Sequence, residues 1–178
     1  MKKLILTVAV AAFGFAGAQS DNDAFRGPGD LRVNVGANFQ AGGTGIAAML
    51  DYGLGESFSV GAQAGYLLGV EENLLDGDVK AEHRFDAKAR VSAHLGDVLG
   101  LPQNFDIYPG LNLGLKNFGG HAGVRYFFDK GFGVFAETQF PIAKYNTEGT
   151  GYRRLNNQFA FLIGASFDLG RSARPVGE

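Results

Sequence analysis

Arg84-Phe85-Asp86-Ala87-Lys88-Ala89-Arg90-Val91-Ser92-Ala93-His94-Leu95 alternates without a break. Phe85, Ala87, Ala89, Val91, Ala93 and Leu95 fall on one face; Arg84, Asp86, Lys88, Arg90, Ser92 and His94 fall on the other. Successive side chains of a strand point to opposite sides, so a period of two marks one strand with two opposed faces. The run is twelve residues long, against about six for an ordinary globular strand, and tilted strands of roughly 9–11 residues cross a bilayer. Two architectures fit. In a soluble sandwich the apolar face meets a core and the charges meet water. In a transmembrane barrel the apolar face meets lipid and the charges line the lumen.

The same alternation recurs on both sides of this run. Strands are expected at about 30–40, 44–54 and 57–70 before it, and at 105–116, 121–128, 132–140 and 157–169 after it. Gly42-Gly43, Gly55-Glu56 and Asp129-Lys130-Gly131 supply turn chemistry between them. Asn117-Phe118-Gly119-Gly120 is read as a turn as well, and Pro141 as the end of the seventh strand. Pro109, inside the fifth, should force a bulge or a missing ladder bond, because proline has no N–H to donate. Eight strands in sequence with no helix between them make an all-β, eight-stranded antiparallel up-and-down barrel.

Three features select lipid as the environment of the apolar face. With the first strand rising from the periplasm, Tyr52, Phe58, Phe105, Phe128, Phe132 and Phe167 gather at the lower end. Phe39, Tyr66, Phe118, Phe140 and Phe159 gather at the upper end. Two aromatic girdles flanking small aliphatics are the pattern of a transmembrane barrel, whereas a soluble core does not sort aromatics by height. The opposite face mixes charges with glycines such as Gly36, Gly61, Gly65, Gly123 and Gly164. Glycine weakens an exposed strand, but inside a narrow lumen it leaves room for Arg and Lys to lie across. Finally, the chain carries an export signal: Lys2 and Lys3, an apolar run from Leu4 to Phe15, and the small-residue site Ala16-Gly17-Ala18. That run is too short for a membrane helix, which needs about 20 residues. Its removal takes the formal charge from the −2 of the full chain to −4.

The segments 123–137, with Arg125, Tyr126, Phe127, Phe128, the Asp129-Lys130-Gly131 loop and Glu137, and 105–114, with Tyr108-Pro109-Gly110, carry a resemblance. The whole mature chain resembles the small eight-stranded outer-membrane barrels of Gram-negative bacteria of the OmpA/OmpX-like type, whose members largely have no assigned function. The resemblance implies outer-membrane lipid, lipopolysaccharide and the barrel assembly machinery as partners. It leaves the extracellular partner open. It also implies a last strand ending on an aromatic, whereas here Phe167 and Leu169 are followed by a polar tail.

The expected organisation is therefore a signal peptide over 1–18, a flexible N-terminal segment over 19–29, the barrel over 30–169 and a polar tail over 170–178. With no Cys in 178 residues, disulfides, thiol chemistry and Cys-based metal sites are excluded. The negative charge argues against a nucleic-acid partner. No nucleophile motif, P-loop or dinucleotide fingerprint is present. His83, His94 and His121 lie on separate strands without ligand spacing, so no metal, cofactor or catalytic residue is expected. The charges Arg84, Asp86, Lys88, Arg90, Lys116, Arg125, Glu137 and Asp51 are read as a structural lumen network, since buried charge must be compensated. Opposite residues across the 129–131 hairpin make Arg125 and Glu137 diagonal neighbours, and an ion pair is expected there. Lys144, Tyr145, Tyr152, Arg153 and Arg154 in the last long loop are candidate contacts for a phosphate-bearing surface. The acidic loop at Glu71, Glu72, Asp76 and Asp78 lacks calcium-loop spacing. The reading is a barrel with a plugged polar lumen and a structural or surface-interaction role. The alternatives are a narrow solute channel, a membrane-embedded lipid-modifying enzyme and a secreted lipocalin-like carrier.

Overall fold

The computed structural model of the chain describes residues 24–71, 79–129, 131–145 and 154–169. The signal segment, the polar tail, most of the acidic loop, and Tyr152 and Arg153 lie outside them. The strands are β1 (Leu31–Gln40), β2 (Gly43–Gly55), β3 (Phe58–Val70), β4 (Phe85–Ala93), β5 (Phe105–Gly114), β6 (Asn117–Asp129), β7 (Phe132–Lys144) and β8 (Ala160–Asp168). A single helical turn, α1 (Ala81–Arg84), precedes β4. Every strand pairs antiparallel with its neighbour in sequence, and β8 pairs with β1 to close the barrel.

The period of two decides which residues lie inside. Arg32, Arg90, Arg125 and Glu137 are almost fully buried, while Leu113 is 61% and Ile163 47% exposed. A barrel whose charges are inside and whose aliphatics are outside has its faces the reverse of those expected for a water-soluble carrier such as the lipocalin-like alternative. The aromatics sort by height. Tyr126, Phe128, Phe132 and Phe167 form a chain of ring contacts at the lower end, with centroids 5.1, 6.3 and 5.6 Å apart. At the upper end Tyr66 pairs in register with Phe85 and Phe39 with Phe161. Among the described residues no helix is long and apolar enough to cross a membrane.

Where the strands differ from expectation, the reasons are local. Arg84 ends the helical turn instead of starting β4. Asn117 to Gly120 belong to β6, and the turn sits just before, at Leu115-Lys116. Pro141 does not end β7. Proline is tolerated there because the pairing with β6 slips between Phe118 and Gly119, so Gly119 faces Pro141 while Phe118 faces Ala143. Pro109 pairs with Ala122 of β6 in unbroken register, but the ladder from β4 to β5 stops at Ser92–Gly110, one residue short of it. The missing bond therefore falls on the β4 side. At the closing seam Gly36 faces Gly164. A Cβ on Gly164 would lie 2.1 Å from Val35 O and one on Gly36 2.4 Å from Ile163 O, so this crossing requires both glycines.

Candidate functional site

The lumen is the candidate site, because alternation sends polar residues of all eight strands into one narrow space. At its centre lies a four-charge cluster. Arg90 of β4 reaches across to Glu137 of β7, with Nη2 2.7 Å from Oε2 and Nη1 3.3 Å from Oε1. Its Nε lies 3.1 Å from Asp51 Oδ1, and Arg125 Nη2 lies 3.3 Å from Asp51 Oδ2. Two cations and two carboxylates thus interlock across the barrel, each compensating a charge that burial would otherwise penalise. Arg125 also lies over the Tyr108 ring at 4.7 Å, and Arg90 donates to Met49 Sδ at 2.6 Å. Ala47, Met49, Phe135, Ala160 and Leu162 form a buried apolar cluster on the inner wall.

The expected Arg125–Glu137 pair is not formed. The register that motivated it is present, with Arg125 opposite Phe135 and Glu137 opposite Gly123. The space above Gly123 is filled by Tyr108: a Cβ on that glycine would lie 2.4 Å from the ring. The ring turns Arg125 toward Asp51 and leaves Glu137 to Arg90.

Above this cluster Lys88 lies 3.5 Å from Asp86 and donates to Gln139 at 2.8 Å, while Gln139 and Gln63 bond to each other. Arg84, expected in the network, sits in α1 and donates to the Leu68 carbonyl. Lys116 sits in the upper turn and donates to the His83 carbonyl. There burial pushes its ammonium below the ordinary lysine range, against the pull of Asp86. Lys144, Tyr145 and Arg154 are exposed at the upper end.

Below the cluster are contacts the residue pattern did not reveal. Part of the segment expected to be flexible, residues 24–29, is held against the lower mouth. Ala24 N donates to Gln103 O, and Phe25 stacks on the His94 ring at 3.6 Å with planes 4° apart. Arg26 bridges Asp30 and Asp168 at 3.1 and 2.7 Å, and Arg32 pairs with Asp30 at 2.8 Å beneath the Phe127 ring. The inward alternation of Arg32 and Asp168 was the available signal. Arg26 lies before the first strand, where alternation says nothing.

Two histidines each link a serine to a carboxylate or amide. His94 joins Asp106 (Nδ1 to Oδ2, 2.6 Å) to Ser59 (Nε2 to Oγ, 2.8 Å), and His121 joins Asn112 at 2.8 Å to Ser92 at 3.0 Å. The first has the atom order of a hydrolase triad. Its serine, however, is buried near the lower end of β3, paired with Gly53 on one side and Ser92 on the other, and Phe25 lies flat on its imidazole. Both chains satisfy buried polar groups that would otherwise cost stability. Among the described residues no three His, Asp or Glu side chains gather to hold a metal.

A family model described as a family of unknown function, DUF6646, matches residues 15–169. No curated protein matches the chain. A solved chain from the de novo design of transmembrane beta-barrels aligns with a TM-score of 0.53 at 12% identity, over 81% of this chain and 98% of that one. At that identity the likeness is one of fold.

Proposed function

This chain belongs to the DUF6646 family of unknown function, and we propose that it is an outer-membrane barrel with a closed lumen and a structural or surface-contact role in the cell envelope. One observation carries the reading: the exposed wall is aliphatic between two aromatic bands, while the interior buries charges in mutual contact. Water on the outer wall would leave that apolar area solvated. Lipid removes the penalty, and the closed barrel leaves no strand edge unpaired inside it. The apolar N-terminal run supports export, and the OmpA/OmpX-like resemblance supports the outer membrane as destination. Outer-membrane lipid is then the surrounding partner, and the barrel assembly machinery the one that inserts it.

The interlocked cluster supports a plug instead of a channel. The lumen network is structural, and the buried Ser59 supports a non-catalytic role. Lys144, Tyr145 and Arg154 stand on the upper rim, where cations and an aromatic suit the phosphates of lipopolysaccharide. The test is fractionation of the native host. The protein should stay with the outer membrane through a salt wash and migrate faster on unheated than on heated gels. Recovery as a soluble protein refutes the proposal.

A further inference from the structure

The connection between β4 and β5, residues 94–104, differs from the other links at the lower end. β2 and β3 are joined by Glu56-Ser57, and β6 and β7 by Lys130-Gly131, both short and polar. Between β4 and β5 the chain makes one helical turn instead. Leu99 N donates to Leu95 O at 3.0 Å. Gly100 N then donates to Asp97 O and Leu101 N to Gly96 O, with Gly100 at φ +64°. These paired bonds around a left-handed glycine stop the helix after a single turn.

The turn has two unlike sides. Leu95 N donates to Ile107 O, in the register that sets Ser92 opposite Gly110, so Leu95 stands beside Ile107 on the outer wall. Residues three and four apart share one face of a helical turn, which puts Val98 and Leu99 on the side of Leu95. Val98 is 69% exposed, more than any other large apolar side chain among the described residues, and Leu99 is 56% exposed. Asp97, two positions from Leu95, falls on the other side. There it lines the lower mouth with Gly96, His94, Glu56 and Phe25. The turn is therefore polar toward the lumen and apolar away from it.

The apolar side is continuous with the outer wall. Leu95 and Ile107 belong to that wall, and lower aromatics flank them: Phe58 pairs with Ala93, and Phe105 stands two residues from Ile107. A soluble partner covering Val98 and Leu99 would have to abut the wall that lipid occupies, whereas lipid reaches both without a break. Aliphatic side chains beside a polar face settle at the boundary of head groups and acyl chains. We infer that the β4–β5 connection folds back onto the membrane, with Val98 and Leu99 inserted just inside the head groups of the lower leaflet and Asp97 left in the aqueous mouth. The inference rests on the membrane reading proposed above and adds to it a contact that the strands do not make.

The chain has no Trp, so a single introduced one reports on its own surroundings. Val98→Trp, Leu99→Trp, Asp97→Trp and, as a mid-wall reference, Val91→Trp are each refolded as the full chain in phosphatidylcholine vesicles, with gel mobility verifying the barrel. Phosphatidylcholine brominated near the carbonyl end or near the methyl end of its chains quenches from shallow or deep positions, and acrylamide quenches from water. Val91→Trp should lose most emission to the deep bromines. Val98→Trp and Leu99→Trp should lose most to the shallow ones and resist acrylamide, whereas Asp97→Trp should respond to acrylamide alone. If one of the two apolar positions fails to fold, the other carries the comparison. Acrylamide quenching without lipid quenching at 98 and 99, while Val91→Trp still responds to lipid, overturns the inference and leaves the membrane wall standing. Shielding of both positions from all quenchers assigns the turn to a protein contact, such as a second copy, and overturns it as well. Absence of lipid quenching at Val91→Trp refutes the membrane reading itself and the inference with it.

Discussion

Glu137→Ala should be among the most damaging single changes in this barrel, and its cost can be worked from the central cluster. Arg90 and Arg125 are balanced there by Asp51 and Glu137. Deleting Glu137 leaves two cations on one carboxylate and removes both of the Arg90–Glu137 hydrogen bonds. Breaking a buried pair from one side costs about 3–5 kcal/mol. Arg90 keeps Asp51, which places the expected loss near the lower end, about 3 kcal/mol. Glu137→Gln keeps the shape and one acceptor, so it should lose about 1.5–3 kcal/mol. The informative variant is the double change Arg90→Met with Glu137→Met. It removes one charge of each sign and leaves Asp51 with Arg125, so it should lie within about 1 kcal/mol of the parent. The chain has no Trp, so urea unfolding in lipid vesicles is best followed by circular dichroism and by gel mobility. If Glu137→Ala costs less than about 1 kcal/mol, or the double variant is as unstable as the single one, the charge-balance reasoning is wrong.

Other consequences follow from the same geometry. Val91→Arg or Ile163→Arg, on the exposed wall near mid-strand, should each cost about 2–4 kcal/mol in vesicles; a cost near zero would show that this wall does not meet lipid. Phe25→Ala removes the ring stacked on His94, so limited proteolysis should cut within residues 24–30 faster while the strands stay protected. On the closed-lumen proposal the protein should show no steady conductance in planar bilayers; large stable currents would restore the channel alternative.

Faces and neighbour registers were legible because both follow from a period of two. Once Arg90 faces inward, so do Ser92, Lys88 and Asp86, and the 129–131 hairpin places Glu137 opposite Gly123. Partners across the lumen were not legible. Arg90 meets Glu137, three strands away, and which cation wins that carboxylate depends on Tyr108 occupying the space above Gly123. Alternation carries no information about such contacts. Turn position failed for a related reason. Asn117-Phe118-Gly119-Gly120 has turn composition, but its glycines serve close packing instead: a Cβ on Gly120 would meet the Phe140 ring at 2.6 Å. The two histidine-centred chains are assembled from residues far apart in sequence, so no local motif announces them.

The clasp at the lower mouth bears on the order in which the molecule is made. Asp168 ends β8, and it holds Arg26, which precedes β1. The N-terminal segment can engage that carboxylate only after the last strand has arrived beside the first. Neighbouring hairpins close short loops, whereas the seam brings together residues more than a hundred positions apart, a step that is slow on entropic grounds. The Arg26–Asp168 contact therefore comes after closure, and it fastens the seam from outside the ladder. Release of β8 from β1 must break this latch as well as the backbone bonds. The beginning of the chain thus adds a contact at the one junction of the barrel whose strands are not consecutive in sequence.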